Sequence, residues 1–304
     1  MIRPNGRPPC REMSVDRGEA LSHTASPTRR WLLIEQPGAW GVDAARESGL
    51  DPELGGAAAK EMTSKHGRML LIRRPARQRA GAAQGVRRWL AFDSTWSEGF
   101  VRGGTFDDDD EVVDLARAMN APGSEALGAS RPGDLVLVCT HGKHDACCAE
   151  AGRDACRSLG DLGTEDLWEC SHIGGDRFAG NILLLPHGMY FGRVDANAAA
   201  TFDLERRERR LLLEHYRGRA TVSRYSQVAE DCVRRDTGLL GFDEVLPVSE
   251  VQLEQHHHRV TVLAGDGRVE VDVRRLDDAV SAFLTCRSER ESEATAFEAR
   301  IVAD

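Results

Sequence analysis

The sequence predicts an α/β chain in which one order of elements occurs twice, followed by a C-terminal extension made of a helix and a β-hairpin. Three observations carry this reading. Short apolar runs of strand length alternate with longer segments whose apolar residues recur at helical spacing. The succession found over residues 31–118 returns over residues 134–216. Past residue 217 the pattern changes to alternating runs joined by Ala-Gly-Asp-Gly at 264–267, a strong hairpin signal.

Residues 1–28 are rich in Pro, Gly, Arg and Ser without periodicity, and read as an irregular N-terminal arm. Cys10 lies in this arm and reads as a bystander thiol. The first unit, residues 29–125, offers strands at 31–35, 69–73, 89–92 and 98–105, with helices at 56–65 and 110–118. The acidic run Asp107 to Asp110 suits the positive end of the second helix. The second unit, residues 130–217, offers strands at 134–138, 166–170, 182–185 and 189–194 and helices at 147–159 and 196–216. Ala151, Ala155 and Leu159 share one face of the first of these helices. The repeated order predicts a diverged internal duplication. The extension, residues 218–304, opens with a helix at 224–235, continues in strands at 259–263 and 269–273, and has an edge strand at 297–302.

The chain has 304 residues, a net charge of -9 and 41% hydrophobic residues, enough for two modest cores or one large one. Its acidic balance and dispersed arginines argue against nucleic acid as a partner. Residues 1–11 contain no apolar signal core, and the apolar runs are too short to span a bilayer, so no membrane insertion and a cytoplasmic location are expected. Of eight cysteines, five fall between Cys139 and Cys170, which suits metal ligation in a reducing compartment more than a disulfide framework.

The chemistry concentrates in Cys139-Thr-His-Gly-Lys-His-Asp-Ala-Cys147-Cys148 and in Cys170-Ser-His172-Ile-Gly-Gly-Asp176. Each segment follows a strand. A strand, helix, strand crossover makes those strands parallel, so both loops leave one edge of the sheet and their ligands can meet. Thiolates suit zinc, copper(I) and iron–sulfur clusters, and imidazole widens the choice. Where the second unit has its cysteine loop, the first has Gln36-Pro-Gly-Ala-Trp-Gly41, with no soft ligand, so it is expected to serve as a packing partner or docking surface.

These two segments, together with Pro186-His-Gly-Met-Tyr-Phe-Gly-Arg-Val194 and Arg30-Trp-Leu-Leu-Ile-Glu-Gln-Pro-Gly-Ala-Trp-Gly41, resemble the sucrase/ferredoxin-like family, a branch of the thioredoxin-like ferredoxins. The resemblance implies a 2Fe-2S cluster held in a thioredoxin-like domain through a C-x8-C pair and an H-x3-H pair; taken with the repeated order of elements, it makes the chain two thioredoxin-like α/β units, the second holding the cluster. Cys139 and Cys148 match the first pair and His172 the third ligand, while Asp176 stands where the family has its second histidine. Asp176 would bind iron directly, or Cys147 or Cys170 would replace it, or the site would hold another metal such as zinc. Asp176 could equally cap the short helix beginning near Arg177. Two thiolates and two neutral imidazoles balance the two positive charges of an oxidised 2Fe-2S core, so a carboxylate adds one negative charge and should place the potential between all-cysteine and histidine-ligated centres.

Plainer readings apply elsewhere. Cys156 reads as a buried inert thiol, and Cys286, with no cysteine near it in sequence, receives no function. His141 and His144 are outer donors or ordinary loop residues, and His187 a turn residue. His256, His257 and His258 precede an alternating strand and are a weak compositional signal. The leading function is a 2Fe-2S electron carrier without a substrate of its own, serving an unidentified redox partner. No G-x-G-x-x-G follows a strand, so electrons from a nicotinamide would need an external reductase. The second reading is a zinc-binding or metal-free thioredoxin-like binding module. A thiol oxidoreductase comes third, because C-x-x-C is absent. No opposed carboxylate pair supports glycoside hydrolysis.

Overall fold

The structure, a computed structural model, describes residues 3, 6–79, 86–277 and 280–302. Residues 1, 2, 4 and 5 of the N-terminal arm therefore lie outside the described residues. The elements run in the order α1 (Cys10–Asp16), β1 (Arg30–Glu35), α2 (Pro52–Thr63), β2 (Gly67–Arg73), α3 (Ala76–Arg79), β3 (Arg87–Asp93), β4 (Val101–Phe106), α4 (Asp110–Met119) and β5 (Ala129–Arg131). They continue with β6 (Leu135–Cys139), α5 (Ala146–Asp161), β7 (Leu167–Cys170), β8 (Ile182–Leu185), β9 (Met189–Phe191), α6 (Ala196–Arg207), β10 (Tyr216–Arg219) and α7 (Arg224–Thr237). The last strands are β11 (Val245–Glu254), β12 (His257–Ala264), β13 (Gly267–Arg275), β14 (Val280–Ala282), β15 (Ser292–Ala294) and β16 (Phe297–Ile301).

Ten strands form one mixed sheet in the order β10-β9-β8-β6-β7-β2-β1-β3-β4-β5. Its two halves repeat one scheme, compatible with a thioredoxin-like fold. β1 is parallel to β2 and antiparallel to β3, which is antiparallel to β4. β6 is likewise parallel to β7 and antiparallel to β8, which is antiparallel to β9. The halves join where β2 meets β7 antiparallel, at Ile72 with Cys170 and Arg73 with Glu169. One core, which includes Trp31, Leu33, Met62, Phe92, Val112 and Leu137, spans that seam. A second core packs Ala155 and Leu159 of α5 and Phe202 of α6 against Val136, Val138 and Phe191.

β11, β12, β13 and β16 make a separate antiparallel sheet whose valines pack on Val228, Ala229 and Val233 of α7. The fully buried Glu230 joins this layer to the large sheet, taking Arg234 at 3.0 Å within α7 and the Tyr216 hydroxyl of β10 at 3.2 Å.

The short elements α3, β5, β10, β14 and β15 were not expected, and three further departures stand out. The arm contains α1, a seven-residue helix of about two turns. The helix expected over 196–216 stops at Arg207: Arg209 takes a positive φ, and Leu211 hydrogen-bonds to the Leu240 carbonyl as Leu211 and Leu212 turn into the core. β11 was not visible in the sequence because most of its residues are exposed and give no alternation. β16 occupies the expected edge position.

α5 lies close on β6 because residue 152 has no side chain. A Cβ there would collide with the carbonyl oxygen of Cys139. Gly152→Ala should therefore destabilise the metal-free protein by about 1–3 kcal/mol in urea unfolding. Gly160→Ala on the same helix, where a Cβ would make only an ordinary contact with Leu167, should be neutral or stabilising. Equal effects of the two substitutions would contradict this account.

Candidate metal centre

Cys139 ends β6, and Cys148 lies in the first turn of α5, whose N-cap Asp145 accepts a hydrogen bond from the Cys147 amide. A helix N-terminus favours thiolate over thiol. The second loop leaves β7, and Gly174 and Gly175 both adopt left-handed conformations that fold Asp176 back under His172. The donor atoms of Cys139, Cys148 and His172 lie within 4.8 Å of one another, as do those of His144, His172 and Asp176. Asp176 Oδ1 lies 3.1 Å from Cys148 Sγ and 3.0 Å from His172 Nδ1. His144 stacks on His172 with ring centroids 3.8 Å apart, and its Nε2 is 3.7 Å from Asp176 Oδ2.

Both thiols and Asp176 are buried, whereas His172 and His144 retain 21% and 34% of their side-chain exposure and form the mouth. Cys139 is held well below the usual thiol range by hydrogen bonding to Cys148 and by His172, while Cys148 is pushed up correspondingly. Burial alone would lower His172, but the Asp176 carboxylate and Cys139 thiolate outweigh it and push the imidazole up to about 9. Burial would raise Asp176, and its contacts with His172 and Cys148 hold it below the usual carboxylate range. Burial and the charge of His172 hold His144 down.

The donor chemistry fits a metal ion or a small metal–sulfur centre. His172 Nδ1 is buried, 3.0 Å from Asp176 Oδ1, and lacks the alignment of a hydrogen bond, which leaves a buried ring nitrogen unsatisfied at the site. The helix-cap reading of Asp176 fails, because Gly175 is the cap of the turn Asp176–Phe178 and no side chain caps it. Cys170 is registered beside Cys139 across β6 and β7 and is fully buried, outside the close donor groups. Cys147 points elsewhere, toward Cys10 and Cys286.

A family profile described as sucrase/ferredoxin-like matches residues 21–218. The chain belongs to the sucrase/ferredoxin-like family. The match takes in both thioredoxin-like units with their shared sheet, and it leaves out α1 and the small C-terminal sheet. No curated protein and no solved structure matches the chain.

The ligand-free first unit supports the site directly. His141 bonds through Nε2 to the Gly41 carbonyl at 2.7 Å and accepts the His172 amide at Nδ1. Arg68 donates to the His172 carbonyl, and Ser171 exchanges hydrogen bonds with Leu71. Sequence reasoning missed Arg217, which is fully buried and donates to Gly174 O at 3.0 Å and to Asn181 Oδ1 at 2.8 Å. Burial pushes it down to about 10. No local pattern distinguishes this arginine from the many on the surface.

In metal-free protein the His172 ring should titrate near 9, and Asp176→Asn should bring it back toward about 6.5, the value of a free imidazole. Metal uptake must displace this proton, so affinity should rise as pH approaches 9. Imidazole NMR titrations of both proteins check this; a wild-type midpoint below about 7 would refute it.

Proposed function

We propose that the chain is an electron carrier whose second thioredoxin-like unit holds a 2Fe-2S cluster on Cys139, Cys148, His172 and Asp176. The observation that carries the reading is the convergence of two thiols, an imidazole and a carboxylate from two parallel strand ends into one buried pocket. Bound there, the cluster would supply one-electron chemistry. Cys139 and Cys148 give soft anionic donors at the floor, and Asp176 adds a charge that an imidazole would not. His172 and His144, at the mouth, are the groups that can exchange protons with solvent, so electron and proton uptake are coupled. The partner is a reductase or acceptor protein docking at that mouth. A reducing, cytoplasmic setting suits eight cysteines that are all free of disulfides. Among the described residues, no helix is long and apolar enough to cross a membrane.

The stacking of His144 on His172 favours a second ligand set, in which His144 takes the fourth position and Asp176 accepts from the imidazoles. Zinc on the same thiols is the alternative cofactor, and the chain would then be a binding module.

Anaerobically prepared protein should contain about two irons and two sulfides per chain. Cys139→Ser and Cys148→Ser should each lose them, since a hydroxyl is a poorer ligand than a thiol. Zinc that Cys139→Ser removes, in protein without sulfide, would reject the cluster. Asp176→His should raise the midpoint potential. If Asp176→Asn leaves spectrum and potential unchanged while His144→Ala bleaches the protein, the fourth donor is His144.

A further inference from the structure

A second cluster of thiols lies behind the ligand loop. Cys10 Sγ is 3.7 Å from Cys147 Sγ, Cys147 Sγ is 3.4 Å from Cys286 Sγ, and Cys286 Sγ is 3.5 Å from Cys10 Sγ. The Asp145 carboxylate closes the group, with both oxygens 3.8 Å from Cys10 Sγ. All four donors fall within 4.8 Å of one another; Cys10, Cys147 and Asp145 are buried and Cys286 is half-buried.

We propose that Cys10, Cys147, Cys286 and Asp145 form a structural zinc(II) site, separate from the redox pocket.

The distances select a single ion. Tetrahedral zinc with Zn–S bonds of about 2.3 Å has thiolates about 3.8 Å apart, so the three observed separations match that edge within a few tenths of an ångström. An iron of a 2Fe-2S cluster spends two positions on bridging sulfides, and one of a 4Fe-4S cluster spends three. Neither iron can take three protein thiolates, so a triangle of mutually close sulfurs excludes both.

The surroundings fit a closed anionic site. Asp145 is fixed by the Cys147 amide on Oδ1 at 2.9 Å and by the Cys286 amide on Oδ2 at 2.7 Å, leaving lone pairs for the ion. Arg3 Nη2 donates to Cys147 Sγ at 3.2 Å, a charge-assisted hydrogen bond that favours the thiolate, while the same guanidinium is held in place by Glu150. The Cys10 amide points at Cys286 Sγ at 3.4 Å.

The donors come from α1, from the start of α5 and from the turn between β14 and β15, so one ion would fasten both ends of the chain to the loop that carries Cys148. Cys10 and Cys286 both lie outside the family match at 21–218, so the match does not account for the site. It does not depend on what the other pocket holds.

The test compares zinc per chain, by elemental analysis, in the full-length wild type and in Cys10→Ser, Cys286→Ser and Cys139→Ser variants. Cys10→Ser and Cys286→Ser should each lose about one zinc relative to wild type, and Cys139→Ser should keep that zinc whatever happens to iron and sulfide. Cobalt(II) added to metal-stripped Cys139→Ser protein should give the visible bands of tetrahedral thiolate coordination. Adding Cys286→Ser, at a half-buried surface turn, should weaken those bands severalfold, which keeps the test valid if the buried Cys10 variant misfolds. Unchanged zinc in Cys10→Ser and Cys286→Ser overturns the proposal. So does a Cys147–Cys286 disulfide in anaerobically prepared wild type that lacks zinc.

Discussion

The close approach of α5 to the end of β6 governs the whole site. With no side chain at residue 152, the helix start can sit against the Cys139 carbonyl, which brings the Cys148 thiol to the Cys139 thiol across the intervening loop. The same docking fixes Cys147. Successive residues on a helix point about 100° apart, so adjacent cysteines in the first turn cannot serve one small site. Cys148 faces the strand end and Asp176, whereas Cys147 faces α1 and the C-terminal turn. One helix N-terminus thus supplies thiols to two separate clusters.

The seam between the halves supplies the second requirement, a rigid second loop. A strand pair of only two residues joins β2 to β7, yet Ser171, Arg68 and the His141 contact with Gly41 add connections on both sides of His172. The Gln36–Gly41 loop carries no soft donor, and it buttresses the loop of His141 that follows Cys139. Trp40 lies edge-on to His141, and Arg73 stacks on Trp40 while pairing with Glu169, which in turn accepts from Thr140 beside Cys139.

Much of the architecture was legible in the sequence because it rests on local periodicity. The strands β1 to β4 and β6 to β9 and the helix α5 follow from apolar runs and helical spacing, and the paired loops at one sheet edge follow from the crossover rule. That rule brings the loop of Cys139 and Cys148 to the loop of His172, and the donor atoms of these three residues lie within 4.8 Å of one another. What stayed hidden depends on contacts between distant segments. Cys10 and Cys286 looked isolated, yet they approach within 3.5 Å of each other across 276 residues. His144, an outer donor or an ordinary loop residue by its sequence, stacks its ring on His172. The run at Leu211–Leu213 mimicked a helix face, although its leucines turn inward after a left-handed residue ends α6.

Placing a carboxylate among thiols has an electrostatic cost that the fold answers with Arg217. Its donors go to Thr24, to the Gly174 carbonyl and to Asn181, and none goes to a carboxylate among the described residues. A fully buried guanidinium without a carboxylate partner is expensive unless negative charge lies close by. Asp176 and Cys148 are among the groups that favour its charged form, and the close approach of Gly175 to the guanidinium is possible only because that residue has no Cβ. The glycine pair thus does two things at once: it turns Asp176 toward His172, and it admits a cation under the same loop. A histidine at 176 would need no such counter-charge, since a neutral imidazole carries none. The buried arginine and the aspartate are therefore parts of one arrangement, in which the carboxylate's charge is partly neutralised from beneath the loop.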